Sequence, residues 1–251
     1  MNGPVETIIR EWGSKPHKPT IIEGLPGLGS VGRLAISLLI DQRKARKIAE
    51  LYSPYFPYQA IVDSRGLVRL PRSEFYHSVE KRKDLVLISG DCQPQSNYGQ
   101  YDVASKIIQY AVKHSASPII SLGGFASPEK DKNLVVTVAT KSRLLSAMIT
   151  AGASVEKTGI PIVGVAGLLV ALAKTAGLDA ICVLGQTTGL GPDPNAAQRV
   201  LEILAKALDL KLDLAELEKQ MMKLRDIENK VEKIEKKLAR ALKKDQTRYI
   251  G

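Results

Sequence analysis

Residues 20–40, TIIEGLPGLGSVGRLAISLLI, decide how this chain folds. Thr20-Ile21-Ile22 is a short apolar run of the kind that forms a buried strand. Glycines follow at Gly24, Gly27, Gly29 and Gly32. Beyond them Leu34-Ala35 and Leu38-Leu39 recur at helical spacing to about Gln42, with Ser30 as the candidate N-cap. Gly27-Leu28-Gly29-Ser30-Val31-Gly32 satisfies G-x-G-x-x-G between a strand and a helix, the setting of a dinucleotide loop. Glycine tolerates positive φ, lets two backbones approach closely, and leaves helix N–H groups open to an anion. Two of those uses are structural. The motif therefore fixes a sharp strand-to-helix turn and leaves open whether a ligand binds.

Two details argue against a nucleotide cofactor, and none is expected. Arg33 follows Gly32, where an ATPase-type phosphate loop needs Lys and then Ser or Thr. The acid that would hold a ribose should end the next strand, yet Glu50 runs on into Leu51-Tyr52 and reads as mid-strand.

Upstream, residues 1–19 read as a short lead-in closed by Pro16 and Pro19. Downstream, strands are expected at Arg46–Tyr52, Asp84–Ser89, Pro118–Leu122, Val135–Ala139 and Ala180–Leu184. Helices are expected at Tyr101–Lys113, Lys141–Ala151, Gly164–Ala176 and Asn195–Leu208, the last opened by the capping sequence Asp193-Pro194-Asn195. Gly164–Ala176 is almost wholly apolar, which predicts a helix buried on most sides. Between the second and third strands lie the Pro- and aromatic-rich Ser53–Tyr58 and a predicted hairpin, Gln59–Asp63 with Gly66–Leu70. That insertion breaks the strand–helix rhythm and is expected to touch another subunit. Alternating strands and helices predict an α/β fold of three layers, with a largely parallel sheet and helices on both faces.

The expected strand ends run into GLPGLG, GDCQPQ, GGF and GQTTG, which the topology of an open α/β sheet gathers at its carboxyl edge. Gly24, Gly27, Gly29, Gly32, Asp91, Gln93, Gly123, Gly124 and Gln186 are the candidate crevice residues. They contain no catalytic set. No histidine lies in these loops, there is no Ser–His pair or metal-ligand cluster, and Asp91 has no second acid beside it. The reading is of a protein that is not an enzyme. The alternative is a nucleotide- or nucleoside-binding α/β enzyme that uses the Gly27–Gly32 loop and the Asp91/Gln93 edge.

Composition narrows the setting. The chain has 251 residues, enough for one large domain and an appendage; 44% are hydrophobic and 25% charged, as in globular proteins. No uninterrupted apolar run is long enough to span a bilayer, and the N-terminus has no signal-peptide pattern, so a cytoplasmic protein is expected. Cys92 and Cys182 are too few for a disulfide framework or a zinc site. The formal charge of +10 is spread over separate patches, and with 5% aromatic residues there is no stacking platform. This argues against nucleic acid and fits an acidic protein surface.

From Leu214 the composition shifts, which divides the chain into residues 1–213 and 214–251. Residues 215–244 lack Gly and Pro and are rich in Ala, Glu, Lys and Leu. Leu224, Ile227, Val231, Ile234 and Leu238 alternate by 3 and 4 and continue to Ala241, a regular a/d seam. A helix of about 30 residues would be about 45 Å long, and so narrow a stripe wants a partner helix. Either it folds back on its own domain or it pairs with another subunit. The polar tail Asp245–Gly251 follows.

Several motifs come in an order that resembles the proteasome assembly chaperone family, in its archaeal branch: GLPGLGSVGRLA, Ser53-Pro54-Tyr55-Phe56-Pro57, Phe75-Tyr76, GDCQPQS, Gln100-Tyr101, SLGGF and Gly164–Leu169. The resemblance covers about residues 20–210. It implies an α/β/α fold similar to nucleoside phosphorylases, without known catalysis, and assembly as an oligomer; a homo-oligomer is expected, and whether a paralogous subunit joins it is left open. It also implies C-terminal tails ending hydrophobic–tyrosine–any residue, which insert between α-subunits of the proteasome core particle. Here the matching residues are Arg248, Tyr249, Ile250 and Gly251. Arg248 takes the hydrophobic place and Tyr249 stands one position early, which moves the carboxylate by roughly 3.5 Å.

Overall fold

The computed structural model describes residues 6–80, 83–126, 134–155, 159, 161–213, 215, 219 and 222. The chain divides into two compact units, Met1–Leu212 and Asp213–Gly251. The heptad positions Leu224, Ile227, Val231, Ile234 and Leu238 and the tail Arg248–Gly251 lie outside the described residues.

Strands of the first unit are β1 (Ile8–Glu11), β2 (Thr20–Glu23), β3 (Arg46–Tyr52), β4 (Ile61–Val62), β5 (Val68–Arg69), β6 (Ser73–Ser78), β7 (Leu85–Gly90), β8 (Ile119–Phe125), β9 (Val135–Ala139), β10 (Ser154–Val155) and β11 (Ala180–Gln186). Helices are α1 (Val31–Arg43), α2 (Asn97–Lys113), α3 (Ser142–Thr150), α4 (Val165–Thr175) and α5 (Pro194–Leu208). Nine strands form one sheet in the order β1-β3-β6-β7-β2-β8-β11-β9-β10, and β4 pairs with β5 as a separate hairpin. The expected strand and helix positions agree with these elements to within a few residues at their ends.

The sheet corrects the expectation of a largely parallel one. The central block β7-β2-β8-β11 is parallel, as is the β9–β10 pair. The β1–β3, β3–β6, β6–β7 and β9–β11 pairs are antiparallel. Two strands missing from the sequence reading cause the first three of these pairings, while β9, an expected strand, enters antiparallel beside β11. The supposed lead-in supplies β1 as an edge strand, and SEFYHS supplies β6. Along β6 the buried residues include Ser73, Phe75 and His77, so only one large apolar side chain marks its inner face. Its polar residues are satisfied locally: Glu74 takes bonds from Lys47, Arg72 and Tyr76.

Alternation along each strand sends neighbouring residues to opposite faces. Ile21, Val86, Ile88 and Ile119 join a core with Val103, Ile107 and Ile108 of α2 and Val165, Leu169 and Ala173 of α4. Ile22, Leu87 and Ile120, in register with one another, face the other way. On that side α1 packs on β7, β8 and α5, and α3 packs on α5. The central strands are thus covered twice, which is why they read as continuous apolar runs. α4 differs from expectation: Val165, Leu169 and Ala173 are buried, while Leu168, Val170 and Leu172 are only half covered. It packs on α2, β8 and β11 along one stripe rather than being enclosed.

Two expected caps separate clearly. The Asp193 carboxylate accepts the Ala196 N–H at 2.9 Å and opens α5. Ser30 stands at the N-cap position of α1, but its backbone is left-handed (φ 48°) and its hydroxyl makes no capping bond.

Candidate functional site

β2, β7, β8 and β11 run parallel, so their carboxyl ends emerge together. The loop after β2 crosses this edge and is held by backbone and side-chain bonds. Gly24 N–H donates to the Ile88 carbonyl at 2.9 Å. Gln93 clamps the next turn: its Nε2 donates to the Pro26 carbonyl at 2.6 Å, while its Oε1 accepts the N–H of Val165, the first residue of α4. Gly29 adopts φ 60°, and its carbonyl accepts the Asp193 N–H at 2.8 Å.

The glycines of the motif divide by what surrounds them. A Cβ on Gly32 would run into the carbonyl oxygen of Leu122 and lie 2.9 Å from its carbon. One on Gly24 would collide with the carbonyl of Gly32, and one on Gly124 with the carbonyl of Leu28. These are close backbone approaches between strand, turn and helix. Gly27 differs: an added Cβ meets only Gln93 Nε2, at 3.5 Å. Gly24, Gly29, Gly32 and Gly124 are therefore consumed by packing. Gly27 alone of the three motif glycines borders the open space.

That space is a cavity of about 400 Å³, within the size range of small-ligand pockets. Leu28, Leu122, Phe125, Val136, Ile162 and Leu184 line it, with Gly27, Gln93, Gly123 and Gly124 at its polar side. Of the residues expected to converge, these four do. Asp91 does not: its carboxylate takes both guanidinium nitrogens of Arg69, at 2.5 and 2.9 Å, and the Arg72 N–H at 3.0 Å. Burial works to raise this carboxyl, and Arg69 with the Arg72 N–H outweighs it and holds the group below its ordinary value. Asp91 thus fastens the β5 end of the hairpin to the end of β7. Gln186 is likewise engaged, with Oε1 accepting the Leu134 N–H at 3.0 Å.

Charge-assisted bonds of this kind contribute more than neutral ones. Asp91→Ala is expected to lower stability by about 2 kcal/mol. It should also speed tryptic cleavage at Arg65 and Arg69 as the hairpin loosens, and unchanged digestion kinetics would refute the fastening role.

The residue that sequence reasoning missed is Glu23. It is the last residue of β2, paired with Ile88 and Ser121, and is 1% exposed. Its Oε1 accepts the Leu25 N–H at 2.7 Å; its Oε2 meets no hydrogen-bond partner among the described residues. Burial raises the carboxyl from 4.5 to about 7 against the opposing Leu25 N–H. Glu23 also lines the cavity. A signal for it was present, since an acid directly after Ile21-Ile22 and before Gly24 sits where a doubly covered strand should be apolar.

Among the described residues no thiolate or metal cluster adds to this edge. Burial pushes the Cys182 thiol up to about 12 and the Cys92 thiol up to about 11, so neither is poised as a thiolate. Among the described residues no His/Cys/Asp/Glu group is arranged to hold a metal ion. Glu50, the ribose candidate, is mid-strand in β3 and paired with Lys47 and Arg72. No helix of the described residues is long and apolar enough to cross a membrane.

Comparison with known proteins places this geometry. The sequence model described as the PAC2 family matches residues 21–235. The chain is 34% identical over 237 residues to an uncharacterized protein of Methanocaldococcus jannaschii, with 92% of each chain covered. Among solved structures it is similar to Pyrococcus furiosus PbaB, described as an archaeal proteasome activator. Identity there is 34% and the TM-score 0.82, covering 90% of this chain and 99% of the other. Pyrococcus furiosus PbaA, described as an archaeal homolog of proteasome-assembly chaperone, matches at 25% identity and TM-score 0.75, covering 96% and 99%.

Proposed function

The chain belongs to the PAC2 family, and from that premise we propose that it is a non-enzymatic homologue of the proteasome assembly chaperones and activators, which docks on the α-ring of the proteasome core particle. The observation that carries this reading is the likeness to Pyrococcus furiosus PbaB over nearly the whole of both chains. The state of the crevice supports it. Three of the four glycines in GLPGLGSVG serve packing or a left-handed turn, and Asp91 is bound to Arg69, so most of the edge that the alternative enzyme reading relies on is spent on structure.

Docking is assigned to Arg248, Tyr249, Ile250 and Gly251 against the α-subunits. Tyr249 supplies ring area and a hydroxyl, and the aliphatic stem of Arg248 covers apolar surface. Several tails on one homo-oligomer raise a weak single-site affinity through effective concentration. The heptad seam of Leu224, Ile227, Val231, Ile234 and Leu238 is the proposed subunit contact in the second unit. In the first unit the hairpin region exposes Tyr58, Val62, Leu67, Val68 and Leu70, which favours a subunit contact there as well. Paralogous subunits sharing the fold are candidate co-partners, and the reading places the protein in the cytoplasm.

The test is co-sedimentation with the core particle. Full-length protein is expected to travel with the particle, and protein lacking Tyr249–Gly251 to remain behind at the same oligomeric size by size-exclusion chromatography. Retained binding by the truncated protein would remove the tail from the mechanism. No binding by either protein would remove the proteasome.

A further inference from the structure

We propose that the cavity at the carboxyl edge of β2 and β8 binds a small organic amine, an ammonium group on a compact aromatic or branched apolar body, with Glu23 as its anionic anchor. The inference stands apart from the docking reading and rests on the floor and walls of the cavity.

The floor carries one acidic group. Glu23 is 1% exposed, yet only one of its carboxyl oxygens is satisfied, by the Leu25 N–H. Oε2 is orphaned among the described residues. Burying a carboxylate without a partner is costly, so the group either keeps a proton or acquires a cation. Among the described residues its neighbours supply none. β7 presents Ile88, β8 presents Ser121, whose hydroxyl is given to the Ala166 carbonyl of α4, and β11 presents the neutral Cys182 thiol. Gln93 is occupied at both ends of its amide. Among the described residues, a compensating charge for the ionised group comes only with an occupant; without one the group keeps its proton.

The walls set the rest of the ligand. Leu28, Phe125, Val136, Ile162 and Leu184 are apolar, and Val163 stands at the cavity 89% exposed. Among the described residues no lysine, arginine or histidine lines the space, so a phosphate or carboxylate ligand finds no cationic side chain there, and ionised Glu23 repels it. This separates the site from the nucleotide reading of the glycine loop. A singly charged cation with one apolar body matches one acid under an apolar roof. Binding such a cation requires ionised Glu23, so it expels a proton from the protein below the carboxyl's raised value.

Isothermal titration calorimetry on the full chain tests this with 2-phenylethylamine and its neutral analogue 2-phenylethanol. The amine is expected to bind saturably at pH 8 and about tenfold more weakly at pH 6, following ionisation of a carboxyl near 7. The alcohol should bind at least about tenfold more weakly than the amine. Glu23→Gln should abolish the amine signal while the protein keeps a cooperative thermal transition. Ala166→Phe, which fills the cavity and leaves Glu23 in place, should abolish it too, and decides the matter if Glu23→Gln fails to fold. No saturable heat at millimolar amine would overturn the proposal. So would pH-independent binding, or equal binding of amine and alcohol.

Discussion

Gly32→Ala is expected to lower stability by about 3 kcal/mol or more, or to prevent folding outright. The new Cβ would enter the carbonyl of Leu122 and lie 3.3 Å from the Gly24 Cα, and both obstacles are backbone. Flexible side chains could rotate away; β8 and the β2–α1 turn cannot, because β8 is hydrogen-bonded between β2 and β11. Relief requires α1 to move off the sheet, which opens the packing of Ala35, Ile36 and Leu39, all completely buried. Gly27→Ala is the control. Its nearest neighbour would be the end of the Gln93 side chain at ordinary contact distance, and its backbone is extended, so a change within about 1 kcal/mol is expected. Urea denaturation midpoints of the two variants provide the measurement. Equal tolerance at both positions would show that close backbone approach is not the reason for the glycines.

Glu23→Gln is expected to change how stability depends on pH. The carboxyl holds its proton up to about 7 in the folded protein and loses it near 4.5 when unfolded. Between those values the folded state binds the extra proton, so stability falls as pH rises through this window and is level above it. The whole effect is roughly 3 kcal/mol, taken from the size of the shift at about 1.4 kcal/mol per unit. Glutamine retains an oxygen for the Leu25 N–H and carries no charge, so its stability should be nearly level across the same range. The variant therefore gains on the native protein as pH rises from 5 to 8. Parallel denaturation curves for the two proteins over that range would mean that Glu23 carries no unusual proton.

Both effects arise at one junction, and only one was visible in the chain. Glycine spacing after Thr20-Ile21-Ile22 announces a tight turn into a helix, because few other residues permit close backbone approach or positive φ. The position of Glu23 was equally plain in the sequence, but its consequence was not. Whether an acid at the end of a strand meets water or protein depends on Ile88, Ser121 and the loop that folds over it. Asp91 shows the converse: placed at a strand end like a functional group, it is committed to Arg69, 22 residues away, by a hairpin whose direction local sequence does not specify.

Sequence by itself determined the elements whose burial is periodic: β2, β3, β7, β8, β9 and β11, the amphipathic α2 and α5, and the Asp193 cap. Their signals are local, since a strand covered on both faces must be apolar throughout and a helix packed on one side must be apolar every third or fourth residue. The motif order determined the family. Tertiary structure alone decided the mixed sheet, the edge strand Ile8–Glu11 and the polar strand Ser73–Ser78. It also decided the one-sided burial of α4 and the burial of Glu23. Those features depend on pairings between residues far apart in the chain, and the free energy of a pairing resides in the partner, which no single stretch of sequence contains.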